Sequence, residues 1–252
     1  MSLVIEREQL DIVETGRPIV WSPERVDLRG IEVAFRNNDG VARCMDERTP
    51  GGIHAAGSGL LISDGAGKFD DDIAEQVAFL KAAGAKEITR HRGCGAEAAW
   101  AKELGLTDQE AEEKLAKRAR NVAEKLNVPY SMIEFDKMAP FGPKDGHRTG
   151  VIYYDATGKF DYSKVKELPA GFIISRGLHP SAEYSLFETE FAVGIIFGHH
   201  GLGEKWFKEN NEKLSIVVIG NEKLSTDFLI QELLGTVDLN PELIVLEKFP
   251  AF

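Results

Sequence analysis

The chain has 252 residues, of which 43% are hydrophobic and 28% charged, and this is typical of one large globular domain or two small ones. Its formal net charge of -11 disfavours a nucleic-acid partner, because such partners are bound by basic surfaces that neutralise phosphates. No apolar run approaches the roughly 20 residues that cross a bilayer. The N-terminus also lacks the profile of a secretory signal, so we expect a cytoplasmic protein without a membrane span.

Strand-like and helix-like segments alternate along the chain. We expect residues 1–28 to form an N-terminal arm and residues 29–252 to form one α/β domain, without an internal linker or a detectable repeat. In chain order the predicted elements are strand 31–46 with a turn at 37–40, helix 70–83, strand 86–91, a helix from 96, helix 108–127, strands 130–135, 150–154 and 171–175, helix 182–197, strand 214–219, helix 225–234 and strand 243–247. This alternation predicts a mostly parallel β-sheet flanked by helices.

Both cysteines lie in short segments that follow predicted strands, residues 44–48 (CMDER) and 91–95 (HRGCG). Two cysteines do not build a disulfide framework in a chain of this length, and in a reducing compartment we expect metal ligands or reactive thiols. Cys44, His91 and Cys94 would offer a divalent metal two thiolates and one imidazole, leaving the fourth tetrahedral position open as in catalytic zinc sites. The plainer alternative is two unrelated buried cysteines and an incidental histidine.

The pattern C-x-D-x-R at 44–48, followed by H-x-x-C-G at 91–95, resembles the metal-site pair of the β-class carbonic anhydrases. The stretch 50–55 (PGGIHA) is similar to the loop of the ζ-class, the cadmium-utilising carbonic anhydrases. A looser similarity to the ζ-class covers residues 147–154, 172–174 and 214–219. The chain differs from the β-class at Glu47, where that class usually has a small residue.

The resemblance implies a β-carbonic-anhydrase-like fold and the reversible hydration of carbon dioxide to bicarbonate by a metal-bound hydroxide. It implies one metal ion per chain, with zinc as the first choice and cadmium or cobalt as alternatives, because thiolate-rich sites accept several soft divalent ions. The expected partner is therefore a small-molecule substrate. Oligomeric state stays open, with a homo-oligomer as one candidate because the β-class usually forms dimers or larger assemblies.

In the resembled families, a carboxylate two residues after the first cysteine accepts a hydrogen bond from the metal-bound water. Asp46 fits this role, because alternate residues of an extended segment share a side. Arg48 is predicted to hold Asp46 in a bidentate pair, so that the carboxylate stays ionised and does not close the fourth coordination position. A purely structural ion pair is the alternative for both residues. His54 is the predicted proton shuttle, with a loop histidine bonded to the backbone as its alternative.

Two other functions stay open for the same residues. One is hydrolysis of another small linear electrophile, such as carbon disulfide or carbonyl sulfide, and the other is noncatalytic metal binding or thiol redox sensing. The glycine-rich stretch 51–59 lacks the Lys-Ser/Thr ending of a P-loop, so nucleotide binding is not expected. His199 and His200 are expected to cap a helix rather than bind metal, and His147 and His179 receive no role.

Overall fold

The computed structural model describes residues 17–25, 29–36, 39–61, 73–134, 138, 146–179, 181–237 and 239–249. Within them the strands are β1 Val41–Arg43, β2 Ile53–His54, β3 Glu87–His91, β4 Tyr130–Ile133, β5 Val151–Asp155, β6 Phe172–Ile174, β7 Leu214–Ile219 and β8 Ile244–Lys248. The α-helices are α1 Ala74–Ala82, α2 Gly95–Glu103, α3 Asp108–Leu126, α4 Ala182–Phe197, α5 Gly203–Asn210 and α6 Thr226–Thr236. The expected α/β domain is confirmed.

The eight strands form two four-stranded sheets in which every pairing is parallel. The first sheet has the order β2-β1-β3-β4, and the second has the order β6-β5-β7-β8. The two halves therefore repeat one topology. The strands fall into two sheets rather than one continuous sheet, and the shared order is a structural repeat that the sequence pattern does not reveal. Many different side chains satisfy the hydrophobic pattern of a strand or a helix. Two halves can therefore share a topology without sharing a recognisable sequence.

The two sheets meet beside the segment that follows β1. The backbone N–H of Ile173 in β6 donates to the carbonyl oxygen of Met45 at 3.0 Å. Cys44, Met45 and Cys94 also belong to one hydrophobic cluster with residues of the second sheet, including Ile152. The polypeptide that carries both cysteines is therefore packed between the two halves of the molecule.

Helix α3 covers the first sheet and has clear signals at both ends. Thr107 and Glu110 form a reciprocal capping box at its start, and Asn127 ends it in the left-handed conformation. Its buried face includes Ala119 and Val122, which pack in one cluster with residues of β1, β2 and β3. In the second sheet all residues of β5 and β7 are buried, as expected for parallel strands covered on both faces.

Two sequence-based assignments need correction. Residues 31–35 form the 3₁₀-helix Ile31–Phe35 rather than a strand, because Gly30 turns the chain with a left-handed φ of 78° and Ile31 and Ala34 are buried three residues apart. Helix α5 is absent from the predicted elements, since only Trp206 and Phe207 are buried in it and most of its other residues are polar. The acidic residues 70–72, expected to begin a helix, lie outside the described residues.

Of the predicted arm 1–28, the structure describes residues 17–25. Arg17 donates to the carbonyl oxygens of Tyr162, Val165 and Leu168 at 3.1, 2.6 and 3.0 Å. This part of the arm therefore packs against the second half of its own chain. Among the helices that the structure describes, none combines the length and the apolar character needed to cross a membrane.

Leu233 and Leu234 are neighbours in α6 with 0% and 57% of their surface exposed. We expect Leu233→Ala to lower the free energy of unfolding by about 2–5 kcal/mol, because the substitution removes buried methyl groups and leaves a cavity. Leu234→Ala is the matched control and is expected to stay within about 0.5 kcal/mol of the wild type. Urea denaturation measures both, and equal losses would contradict the packing of α6 described above.

Candidate metal centre

Cys44, His91 and Cys94 are brought together by parallel strand pairing. β1 and β3 are neighbours, with Val41 opposite Glu87, so their C-terminal ends lie at the same edge of the sheet. Cys44 directly follows β1, and His91 is the last residue of β3. Cys94 is the N-cap residue of α2, three positions further on. One strand end thus supplies a thiol, and the next strand with its helix supplies an imidazole and a second thiol.

Arg90 ties α2 and α3 to the end of β3. Its side chain is 1% exposed and donates to both carboxylate oxygens of Glu97 on α2, at 2.7 Å each. A second carboxylate, Glu112 on α3, accepts at 3.0 and 3.3 Å. Burial opposes the charge on Arg90, but these two carboxylates outweigh it and raise its pKa above the usual range. Because consecutive strand residues point to opposite faces, Arg90 anchors the helices on one face while His91 occupies the other.

The two thiols have the spacing of ligands on one ion. The candidate donor atoms of Cys44, His91 and Cys94 all lie within 4.8 Å of one another, and all three side chains are buried. The two Sγ atoms are 3.7 Å apart. A disulfide bond needs about 2.05 Å, whereas two thiolates bound at about 2.3 Å to a tetrahedral zinc ion are separated by about 3.8 Å. The observed spacing matches the second case.

His91 presents a ring nitrogen to the same cluster. Its Nδ1 atom lies 3.0 Å from the carbonyl oxygen of Arg92. Because a carbonyl oxygen only accepts, this contact places a proton on Nδ1, so a metal ion would bind the lone pair that Nε2 carries in the neutral ring. Nε2 is buried and has no hydrogen-bond partner among the described residues. Buried polar atoms are normally paired, so a lone pair beside two thiols has the character of a metal ligand.

The charges around the cluster favour a cation. Burial opposes a charge on His91, but the nearby Asp46 and Cys44 outweigh it and raise the pKa of His91 to about 9. The hydrogen bond between the two thiols lowers the pKa of Cys44 and raises the pKa of Cys94. Cys94 also lies at the N-terminal end of α2, where the helix dipole favours a thiolate. The negative groups that favour a proton on His91 would also favour a divalent cation at this position.

Asp46 and Arg48 form the bidentate pair expected from the sequence. Arg48 Nε donates to Asp46 Oδ1 at 2.9 Å and Arg48 Nη2 donates to Oδ2 at 2.6 Å, with both side chains nearly inaccessible. Burial alone would raise the pKa of Asp46, but the hydrogen bonds from Arg48 outweigh it and hold this pKa well below its usual range. Arg48 also contacts the carbonyl oxygen of Gly93 at 3.4 Å. The pair therefore bridges the two ligand-bearing segments. Asp46 Oδ2 lies 3.7 Å from His91 Nε2.

The turn from β1 to β2 depends on glycine at position 52. Gly52 has a φ of 84°, and a Cβ atom there would lie 2.2 Å from the carbonyl oxygen of Val41. Only glycine permits this close approach of two backbone segments. The turn lets β2 pair in parallel with β1 so that His54 lies opposite Arg43, next to the first cysteine.

His54 is placed behind Cys44 as a fixed, neutral ring. It is 1% exposed, and its Nδ1 atom lies 2.9 Å from the carbonyl oxygen of Cys44. Burial lowers the pKa of His54 to about 4, which is too low for a group that exchanges protons near neutrality. The surroundings of His54 favour the alternative role, that of a histidine bonded to the backbone, which here positions the Cys44 carbonyl.

A cavity of about 910 Å³ opens beside the cluster. Its wall includes Arg48, Gly93 and Cys94, so one ligand-bearing segment and the arginine of the ion pair face it. The remaining wall is built largely by small and apolar residues of α2 and α4, among them Ala98 and Ile195. Concave sites with an apolar wall and a few polar groups are typical of small-molecule binding. Of the three donor residues, Cys94 lines this cavity, so a small molecule in it would reach the cluster at Cys94.

The histidines without a predicted role differ in their surroundings. His147 is buried against Glu47, with 2.7 Å between Nδ1 and Oε2, and it lines the cavity. The sequence signals neither member of this pair, because the two residues are 100 positions apart. His179 lies 3.3 Å from Glu188, and burial lowers its pKa to about 4. His199 and His200 are exposed residues of the cavity wall, directly after α4 and its terminal glycine.

Comparisons with protein-family models, with curated proteins and with solved structures find no match for this chain. The case for its function therefore depends on the residues and the geometry of the site.

We expect the His54 ring to stay neutral down to a pH of about 4. Its folded pKa lies below the ordinary histidine value of 6.5, so the stability that the neutral ring contributes is complete above pH 6.5 and is lost as the pH falls towards about 4. NMR titration of labelled histidines in the metal-free protein measures this pKa, with His54→Gln to assign the signal. Titration of His54 between pH 6 and 8 would instead restore its candidacy as a proton shuttle.

Proposed function

We propose that the protein is a metal-dependent carbonic anhydrase, similar to the β- and ζ-classes, that catalyses the reversible hydration of carbon dioxide to bicarbonate. The observation that carries the proposal is the 3.7 Å spacing of the Cys44 and Cys94 sulfurs next to the unpartnered Nε2 atom of His91. The Asp46–Arg48 pair beside these donors supports the catalytic assignment over a purely structural metal site, because a closed structural site needs no such pair.

The donor set fits zinc. Two thiolates and one imidazole occupy three corners of a tetrahedron, and the described residues offer no fourth sulfur or histidine nitrogen to this group. Cadmium and cobalt are alternatives because soft thiolate ligands accept them as well. We propose one ion per chain, bound by Cys44, His91 and Cys94. When bound, such an ion acidifies water and supplies a nucleophile near neutral pH.

Asp46 and Arg48 would orient the reacting water. The Asp46 carboxylate is ionised and its Oδ2 atom lies 3.7 Å from His91 Nε2, so it would accept a hydrogen bond from water at the open position. The Arg48 side chain donates two hydrogen bonds to that carboxylate. These bonds restrain Asp46 from filling the open position itself. With one proton of the water held by Asp46, a lone pair would be directed towards carbon dioxide in the adjoining cavity.

The cavity wall suits an uncharged substrate and an anionic product. Ala98 and Ile195 offer apolar contact to carbon dioxide, and the guanidinium of Arg48 favours bicarbonate as it forms. Carbon disulfide or carbonyl sulfide would meet the same groups, so they are the alternative substrates for this site. We place the protein in the cytoplasm, where reducing conditions keep both thiols available as ligands.

A thiol redox function is the candidate from another class, and the contact between the two sulfurs is the observation that favours it. Disulfide formation would require the Sγ atoms of Cys44 and Cys94 to close from 3.7 Å to about 2.05 Å. Disulfide formation needs no carboxylate that orients a water molecule. The effect of substituting Asp46 therefore separates the two functions.

We expect Asp46→Asn to lower kcat/KM for carbon dioxide hydration by about 10²-fold or more, because the amide cannot accept the water hydrogen bond with the same strength. Stopped-flow assays on protein loaded with zinc, cadmium or cobalt measure the rate. Asp39→Asn is the matched control: Asp39 also forms a bidentate pair with an arginine, Arg43, but it is 36% exposed and lies outside the cavity wall.

Equal effects of the two substitutions would remove the role assigned to Asp46. Failure of the wild type to hydrate carbon dioxide with any of the three metals would overturn the proposed function. Turnover of carbonyl sulfide or carbon disulfide in its place would then support the alternative substrates, and a Cys44–Cys94 disulfide without metal binding would support the redox function.

A further inference from the structure

A buried Glu–His pair stands next to the ion pair of the candidate site. His147 Nδ1 lies 2.7 Å from Glu47 Oε2, and the two residues are 6% and 0% exposed. Burial of ionisable side chains costs free energy, and ionisable groups with a specific charge partner in a cleft are candidates for a functional site. Glu47 directly follows Asp46 along the chain, but none of the roles proposed above uses it or His147.

The surrounding structure fixes both members of the pair. The Tyr162 hydroxyl donates to the backbone carbonyl of Glu47. The backbone N–H of His147 donates to the carbonyl oxygen of His200 at 2.6 Å. The His147 ring also packs on Phe172, with 5.1 Å between ring centroids. The ring is therefore held in one place by contacts on its backbone and on its side chain.

The pair joins the candidate centre to the cavity. The donor atoms of Asp46, Glu47 and His147 all lie within 4.8 Å of one another. His147 also lines the cavity together with Arg48 and Cys94. His54, the shuttle expected from the sequence, does not line it. A group that moves protons out of the site must lie between the site and the cavity, and His147 is near Asp46 on one side and lines the cavity on the other.

We propose that His147, oriented by Glu47, accepts the proton that each hydration turnover releases and passes it to a buffer base in the cavity. This inference rests on the proposed function. Addition of water to carbon dioxide forms bicarbonate and frees one proton. The Nδ1–H of His147 is held by the Glu47 carboxylate, so the lone pair of Nε2 takes that proton, and the imidazolium then transfers it to the base.

The charges facing His147 suit this role. Burial opposes its charged form, but Glu47, and more weakly Asp46, outweigh both burial and the opposing Arg48, so the pKa of His147 lies above its ordinary value. The cavity wall also holds the titratable side chains of Cys94, Lys102, Glu190, His199 and His200. A carboxylate partner that stabilises imidazolium is the arrangement used by other histidine acid–base catalysts.

The same three residues are also a candidate for a second metal site. Arg48 argues against it, because its guanidinium already donates to both oxygens of Asp46 and its positive charge repels a second cation. The two possibilities predict different metal contents, namely one ion per chain for a proton carrier and two ions per chain for a second site.

His147→Ala in the zinc-loaded protein tests the role by kinetics. We expect kcat for hydration to fall by about 10²-fold, while kcat/KM stays within about twofold, because proton release follows the conversion of carbon dioxide. Added imidazole should restore kcat by carrying the proton in place of the missing ring. His199→Ala is the matched control, an exposed histidine of the same cavity.

An unchanged kcat in His147→Ala, or an equal fall in His199→Ala, would overturn the assignment to His147. In either case an active wild type leaves the proposed hydration function standing. An inactive wild type would instead remove the proposed function, and with it this inference.

Two measurements without turnover complete the test. NMR titration should show that Glu47→Gln lowers the pKa of His147, because the amide no longer stabilises the imidazolium. Metal analysis should give the same zinc content for His147→Ala as for the wild type. A His147 pKa that does not respond to Glu47→Gln would overturn the orienting role of Glu47. Loss of one of two zinc ions in His147→Ala would establish a second metal site in place of a proton carrier.

Discussion

The site depends on the parallel pairing of β1 with β3. This pairing places the residue after β1, Cys44, beside the last residue of β3, His91. Side chains in a strand alternate between faces, so a slip of one residue would turn His91 away from Cys44 and replace it with Arg90. Arg90 resists such a slip, since its buried ion pair with Glu97 holds α2 against the opposite face. The geometry of the thiols and the imidazole is therefore a consequence of sheet register.

Two adjacent carboxylates are buried at this edge of the first sheet, and each is paired with a different side chain. Asp46 is paired with Arg48 from its own turn, whereas Glu47 is paired with His147 from the start of the second half. Two buried carboxylates without such partners would be costly. The two halves also meet at this segment, because the carbonyl oxygen of Met45, directly after Cys44, accepts a hydrogen bond from β6.

The residues that the sequence identifies are those with local patterns. Cys44, Asp46 and Arg48 lie in one short motif that can be recognised from sequence, although β1 ends at Arg43 and a turn, rather than strand alternation, joins Asp46 to Arg48. The ends of β3 and α2 follow from hydrophobic periodicity. The Glu47–His147 pair cannot be predicted from a local sequence pattern, since it joins residues 100 positions apart. His54 shows a second limit: its residue type suggests titration near neutrality, but its pKa is set by burial, which only the fold determines.

X-ray absorption spectroscopy at the zinc edge of the loaded protein tests the central claim most directly. Binding by Cys44, His91 and Cys94 with one open position predicts one zinc ion per chain with two sulfur neighbours at about 2.3 Å and two lighter neighbours at about 2.0–2.1 Å. Cys94→Ser should remove one of the two sulfurs. A zinc environment without sulfur, or a protein that retains no zinc while both thiols are reduced, would contradict the account.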